Sequence, residues 1–375
     1  MKIIIAPDSF KGSMSAKIAA DAMAAGVLRH CPRAEIVKIP LADGGEGTAE
    51  TLCDATGGRM VTVRVKDPLL RERTAHFAVL GDGVTAAIEM AEASGLTLLS
   101  PEERNPLITS SYGTGQFVRA ALDAGCRRLI LAIGGSATND GGAGMMAALG
   151  VVFRDKDGNI LPPGGAALLD LAEIDLSGLD ARLAGTEVIA ACDVDNPLCG
   201  ARGASAVFGP QKGATPAMTE QLDAALARYG AVLATALGRD VALLPGAGAA
   251  GGMGAALAGF LRAEMESGAA IVQRETCFAE RLAGADLLIT GEGQLDAQSL
   301  RGKTAYAAAM TAQKLSVSVI ALCGGICGTD AALDEVFTAA FSIVNRPMTL
   351  AEAYSNAEIL ATDAAYQATR LFFRN

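Results

Sequence analysis

Short apolar runs that each stop at a cluster of glycines, acids and hydroxyls constrain this chain more than any other feature. Ile3–Ala6 leads into Pro7-Asp8-Ser9-Phe10-Lys11-Gly12-Ser13 and then an Ala-rich helical pattern from about Ser15 to Arg29. Leu129–Ile133 leads into 134–142 and a helix closing at Gly150. Val188–Cys192 runs into Asp193-Val194-Asp195-Asn196-Pro197, Leu287–Ile289 into 290–296, and Val317–Leu322 into Cys323-Gly324-Gly325. Strands that alternate with helices pair in parallel, and ligands then gather beyond the carboxyl ends of the strands. The polar-glycine clusters stand mostly at those ends, so an α/β fold with its site at the strand ends is expected.

The stretch from Gly58 to Met90 breaks the rule. Val61–Val65 and His76–Leu80 alternate or run as β, and Val84–Glu89 follows a Gly-Asp-Gly turn. An antiparallel meander is expected there, and with it a mixed sheet. The chain's 375 residues suggest two domains at roughly 150 residues each. Such a length buries sizeable cores without disulfides or a structural metal.

Composition removes several functions. With 31 basic and 41 acidic residues the formal net charge is −10, which as a whole repels nucleic acid and anionic membranes. Two histidines, His30 and His76, leave little for a three-His zinc site, and no GxSxG elbow points to a serine hydrolase. The eight cysteines form no CxxC, and the C-x3-C pair Cys323 and Cys327 reads as small buried hydrophobes. The apolar run after Met1 is too short for a signal peptide. Val241–Leu261 is long enough to cross a bilayer, but its six glycines and Pro245 read as a glycine-rich turn opening a helix. A soluble, cytoplasmic protein with no nucleic-acid or membrane partner is expected.

Four loops carry candidate chemistry. Gly134-Gly135-Ser136-Ala137-Thr138-Asn139-Asp140-Gly141-Gly142 offers main-chain N–H groups and left-handed positions to an anion, beyond what one helix cap requires. Asp43-Gly44-Gly45-Glu46-Gly47-Thr48 precedes a helix containing Glu50-Thr51-Leu52, and Ser110–Gln116 is a similar lead into Phe117–Ala124. Thr290-Gly291-Glu292-Gly293-Gln294-Leu295-Asp296, with Gly302-Lys303-Thr304 beyond it, satisfies neither of two familiar patterns. Asp296 stands where a dinucleotide fingerprint has its third glycine, and Ala297 where a Walker A loop has its first. A GxGxxG does occur at Gly246, Gly248 and Gly251, a weak match inside a glycine tract. What remains is a set of carboxylates (Asp8, Asp43, Asp193, Asp195, Glu292, Asp296) and lysines (Lys11, Lys212, Lys303) beside glycine loops. Phosphoryl transfer needs such a kit: cations and N–H groups on the phosphates, carboxylates for Mg²⁺, and one carboxylate to take a hydroxyl proton.

Five motifs in order, Ala6–Gly12, Ala42–Thr48, Tyr112–Gly115, Gly134–Gly142 and Thr290–Asp296, resemble the type-1 glycerate kinase family over nearly the whole chain. The resemblance implies ATP-dependent phosphorylation of D-glycerate with Mg²⁺, giving 2-phosphoglycerate or 3-phosphoglycerate. It also implies two α/β domains: a discontinuous flavodoxin-like parallel-sheet domain of residues 1–58 plus 283–375, and an inserted mixed-sheet domain of 59–282. One turn departs from the pattern, since Lys66-Asp67-Pro68-Leu69-Leu70-Arg71 carries Asp67 and Leu70 where glycines are expected near Pro68 and after Leu69.

Under this reading Lys11 and Ser9, with Arg64 or Arg71, clamp the glycerate carboxylate. Gly134, Gly135, Ser136, Thr138, Asn139 and Asp140, together with Gly291, Gly293 and Lys303, hold ATP phosphates. Asp193, Glu292 and Asp296 are the Mg²⁺ candidates. Asp296 is the first candidate for the base and Asp8 the second. Two other readings stand beside it. A hydroxyacid dehydrogenase using the Gly246 run would bind nicotinamide, and a non-catalytic metabolite-binding regulator would bind glycerate or nucleotide without producing ADP. The sequence leaves the oligomeric state open.

Overall fold

The structure, a computed structural model, describes residues 1–296, 304–327, 333 and 335–373. It divides into two compact units, Met1–Asp43 with Ser267–Asn375 and Gly44–Glu266. In chain order the first strands are β1 (Lys2–Pro7), β2 (Glu35–Lys38), β3 (Arg59–Lys66), β4 (Glu72–Val79) and β5 (Thr85–Glu89). Next come β6 (Arg128–Ala132), β7 (Val152–Arg154), β8 (Glu173–Asp175), β9 (Glu187–Ala191) and β10 (Glu264–Glu266). The last are β11 (Leu287–Gly291), β12 (Gln294–Leu295), β13 (Ser318–Cys323), β14 (Gly325–Ile326) and β15 (Ala339–Ser342). The joins fall before the expected 58/59 and 282/283 boundaries because two helices side with their neighbours. Thr48–Thr56 packs on β3, β4 and β5, whereas Gly268–Glu275 packs on Thr304–Lys314.

In the first unit the sheet order is β15-β13-β11-β1-β2, every pairing parallel. Renumbered within the unit and started at β2 this is 2-1-3-4-5, the flavodoxin-like order, whose direction reverses between β1 and β11. The Ile-Ile-Ile run of β1 shows no alternation because parallel strands are covered on both faces. Ile3 and Ile5 pack with the helices Ala16–His30 and Ala357–Phe372; Thr304–Lys314 packs on β1, β11 and β13 as well. Ser15 caps the first helix, accepting from the Ile18 N–H at 3.3 Å. Gly26 lets that helix approach its partner, since a Cβ there would lie 2.1 Å from the Thr362 carbonyl oxygen.

In the second unit the order is β10-β9-β6-β5-β4-β3. The expected meander is present, with β3–β4 and β4–β5 antiparallel, and β5 then pairs parallel with β6, β6 with β9 and β9 with β10. A separate core fills this unit, with Phe77, Phe117 and Tyr229 fully enclosed. The Val241–Leu261 stretch forms turns and then the helix Ala249–Phe260, left-handed at Ala250, Gly251 and Gly252. Among the described residues no helix is long and apolar enough to cross a membrane. No strand runs into Gly246, so the GxGxxG there lacks the strand-to-helix setting that a dinucleotide needs, and the dehydrogenase reading loses its support. The cysteine expectation also needs one correction: Cys323 is buried, but Cys327 is exposed.

Candidate active site

Beyond the carboxyl ends of β1 and β11, at the reversal in strand order, the first unit holds a cavity of about 420 Å³. Asp8, Ser9, Lys11, Asp43 and Glu292 form its polar end. Each is placed by a simple device. The Asp8 N–H donates to the Gly291 carbonyl at 2.8 Å, prolonging the β1–β11 ladder by one residue. Phe10 and Met14, both buried, close a tight loop through N–H···O bonds in both directions. Lys11 rides at the tip of that loop, whose turn is made by Gly12 at φ +79°. Residues 39–41 continue β2 alongside β1, with the Leu41 N–H donating to the Pro7 carbonyl, and so deliver Asp43 to the same place. The segment after β11 is fastened to that after β13 by the short parallel pair β12–β14 and by the Gly324 N–H bond to the Glu292 carbonyl.

Asp8 is only 7 % exposed. Burial first, and Asp43 second, push its carboxyl up to about 6, against the opposing pull of Thr304, the Ser9 N–H and Lys11. It thus titrates near the pH at which a general base has to work. Partial burial works against the charge on Lys11, but Asp43, Asp8 and Glu292 outweigh it and hold the ammonium above the usual lysine range. Its Nζ lies 3.2 Å from Asp43 Oδ2. Gly293 lines the cavity too. Gly291 lies inside β11, where a Cβ would stand 1.9 Å from the Leu322 carbonyl oxygen; its lack of a side chain serves strand packing. Asp296 accepts from Gln294 Nε2 at 3.2 Å and is not among the described walls of the cavity. Lys303 lies outside the described residues.

The second unit holds the 134–142 loop. Ser136, Thr138, Asn139 and Asp140 are all buried, and three of them have internal partners. Asp140 accepts from the Ser111 N–H and hydroxyl, both at 2.8 Å, and from the Gly142 and Gly144 N–H groups at 3.1 and 3.2 Å. Asn139 donates to Ser205 Oγ at 2.9 Å. Lys212, wholly enclosed, donates to Ser136 Oγ at 2.9 Å and to the Thr138 carbonyl at 2.6 Å. Burial pushes its ammonium down to about 7 despite the nearby Asp140 charge. Gly134 packs on Gly45, since a Cβ would come within 3.3 Å of its Cα, and Gly135 is exposed.

A residue to which the sequence reading gave a strand but no site role stands at the end of β5. Glu89 ends β5, accepts from the Gly47 and Ala49 N–H groups at 3.1 and 2.7 Å, and so caps the helix Thr48–Thr56. Burial first pushes its carboxyl up to about 7, with Glu92 and Glu46 adding to the rise. Its signal was an acid closing an apolar strand, Thr85-Ala86-Ala87-Ile88-Glu89.

Arg64 and Arg71 belong to the second unit and have acidic partners there, Arg64 with Glu72 at 3.1 Å and Arg71 with Asp67 and Glu103 at 2.5 and 2.6 Å. In the departing turn, Asp67 accepts from the Leu69 and Arg71 N–H groups, and Leu70 takes φ +61°, the conformation in which a glycine would be unstrained. Asp193 also lies in the second unit, whereas Glu292 and Asp296 lie in the first. Among the described residues no three His, Cys, Asp or Glu side chains converge as a metal cage. The donors at the cavity are all oxygen, which suits a Mg²⁺ that keeps most of its waters and needs only one or two carboxylates.

A model described as the glycerate kinase family matches residues 3–373. A glycerate kinase of Bacillus subtilis (strain 168) is 49 % identical over 358 residues, 95 % of this chain and 94 % of that one. The glycerate 2-kinase of Escherichia coli (strain K12) is 47 % identical over 358 residues, with the same coverage of 95 % and 94 %. A crystal structure from Salmonella typhimurium LT2, provisionally designated glycerate kinase 2, superimposes with a TM-score of 0.90 at 48 % identity. That superposition covers 99 % of this chain and 98 % of the other.

Proposed function

The chain belongs to the glycerate kinase family, and from that premise we propose that it transfers the γ-phosphoryl group of ATP to the 2-hydroxyl of D-glycerate. The products are 2-phosphoglycerate and ADP. The name of the Escherichia coli relative, glycerate 2-kinase, supports the 2-position. The observation that carries the mechanism is the buried carboxylate of Asp8 at the strand-order reversal, with Lys11 presented beside it in one cavity.

Asp8 takes the proton from the glycerate hydroxyl as its oxygen bonds to the γ-phosphorus and the bond from that phosphorus to the bridging oxygen breaks. The electron pair leaves with ADP. Burial serves this role because a carboxyl poised near 6 binds the proton better than a solvated aspartate would. Lys11 faces the charge that spreads over the transferred phosphoryl oxygens, and the Ser9 hydroxyl and Lys11 hold the acceptor's carboxylate. An arriving anion competes with Asp43 for Lys11. Glu292 is the carboxylate that would hold a Mg²⁺ arriving with the nucleotide, and the ion would neutralise charge on the phosphates. In the second unit, Gly134 and Gly135 are the part of the loop whose main chain is placed to meet an anion. The ATP requirement places the reaction in the cytoplasm, with small-molecule partners only.

Phosphorus NMR of purified protein with Mg-ATP and D-glycerate tests this reading. The expected result is a 2-phosphoglycerate signal growing in step with ADP. A 3-phosphoglycerate signal overturns the position, and the absence of any phosphoester overturns the acceptor.

A further inference from the structure

Transfer chemistry accounts for the polar end of the cavity but not for its other end. There the helix Leu350–Ser355 buries none of its residues, although Thr349 and Glu352 close a complete capping box at its start. Leu350 and Tyr354 stand one turn apart, on one face of that helix. They are 68 % and 44 % exposed, and both line the cavity together with Val344 and Ala353. A short helix is ordinarily held by burying such a face; this one turns it to a cavity. Tyr354 is also tied to the loop that carries Lys11. A Cβ on Gly12 would lie 3.3 Å from the Tyr354 ring, and Ser13 Oγ donates to the Tyr354 carbonyl at 3.4 Å.

Glycerate explains none of this. Three carbons with four oxygens offer no apolar surface to a tyrosine and a leucine, and they fill a small part of 420 Å³. Charge points the same way. Asp8, Asp43 and Glu292 face one cation, Lys11, among the described lining residues, so an anion is repelled everywhere except beside that lysine. An occupant of the far end is therefore flat, apolar on its faces, uncharged, and joined to hydroxyls that donate to carboxylates.

We propose that the apolar end, built from Leu350, Tyr354, Val344 and Ala353, binds the purine nucleoside of ATP. The base lies against the Tyr354 ring, the ribose hydroxyls donate toward Asp43, and the phosphates run toward Lys11 and Glu292. This inference rests on ATP being the donor, as proposed above.

Calorimetric titration of the full chain with ADP and with adenosine tests it without turnover. Tyr354→Ala is expected to weaken both ligands about tenfold or more, in line with the loss of one base–aromatic stack. Tyr354→Phe is expected to bind as the native chain does, and the KM for D-glycerate to stay within about twofold in both variants. Unchanged adenosine and ADP affinity in Tyr354→Ala, a rise in glycerate KM in their place, or no binding of either ligand to the native chain overturns the proposal. The two readings fail separately. Phosphoglycerate formed by a protein whose adenosine binding ignores Tyr354 leaves the kinase standing without this subsite. Tyr354-dependent adenosine binding without phosphoglycerate leaves the subsite without the acceptor.

Discussion

Two loops of this chain follow parallel strands and set an aspartate near a lysine, yet they are opposite kinds of structure. The loop after β1 leaves Lys11 largely in solvent and lines a cavity with Asp8. The loop after β6 turns inward: Asp140 takes four donors from its own unit, and Lys212 is enclosed between Ser136 and the Thr138 carbonyl. The difference lies in how many partners the fold supplies. Burial raises the Asp140 carboxyl as it does that of Asp8, but four donors from its own unit pull against the rise and meet its lone pairs. Asp8, which is nearly as buried, has the Ser9 N–H and Thr304 against it and Asp43 close by, so its charge stays costly. A costly charge is a reactive one, which is why Asp8 rather than Asp140 is the aspartate proposed as the base.

Exchanging each carboxylate for its amide breaks the comparison most sharply. Asp8→Asn is expected to lower kcat by about 10²–10⁴-fold, the usual share of a general base, while the variant stays folded. In the native enzyme kcat/KM should fall tenfold per pH unit below about 6, as the base takes up its proton. The sign for stability runs the other way. The folded pKa of Asp8 lies above its ordinary 3.8, so the native state binds more protons between those values and loses stability as pH rises through them. Asp8→Asn removes that penalty and should melt no lower than the native chain at pH 8. Asp140→Asn should do the reverse, placing an NH₂ among donors and costing about 3 kcal/mol in urea unfolding. An Asp140→Asn chain of native stability would show that its four donors are not what permits its burial.

Much of this was legible in order of sequence distance. Asp8, Ser9 and Lys11 share one loop, so a strand and a glycine turn sufficed to single them out. The meander of β3 to β5 was equally open, because alternation is local. The meeting of Asp8 with Glu292 was not, since it depends on β1 and β11 being neighbours and strand order is not written in periodicity. That is why Asp296, standing in the more suggestive motif, outranked Asp8 as a base. The burial of Thr138, Asn139 and Asp140 depends on Ser111, Ser205 and Lys212, each supplied from far along the chain. Tyr354 gave no sign at all: a capped amphipathic helix reads the same whether its apolar face meets a core or a ligand.

Glu89 stands between the two kinds of loop, hydrogen-bonded like Asp140 but by two N–H groups rather than four donors, with its carboxyl pushed up by burial to about 7. Its folded pKa is above the ordinary 4.5, so its contribution becomes unfavourable as pH rises through that interval and is absent below it. Glu89→Gln should therefore raise Tm at pH 8 and change little at pH 4.5. The gain is at most about 3 kcal/mol by linkage, less whatever the weaker cap of Thr48–Thr56 gives back. A loss at pH 8 would mean that the bonds Glu89 accepts from Gly47 and Ala49 outweigh the cost of its buried charge.

The smallest effect belongs to a turn that dispenses with glycine. Asp67, buried, fixes the 66–71 turn by accepting from the Leu69 and Arg71 N–H groups at 2.9 Å each and from Arg71 Nε. Those bonds hold Leu70 in the left-handed region at a strain of about 1–2 kcal/mol for an L-residue. Leu70→Gly relieves the strain but gives the unfolded chain about 0.5–1 kcal/mol of extra entropy. The variant should be more stable by no more than about 1 kcal/mol, read as a small rise in the urea midpoint at unchanged slope. A clear loss would mean that the half-buried Leu70 side chain contributes packing worth more than the strain. The turn's shape would then rest on side-chain packing as much as on the bonds to Asp67.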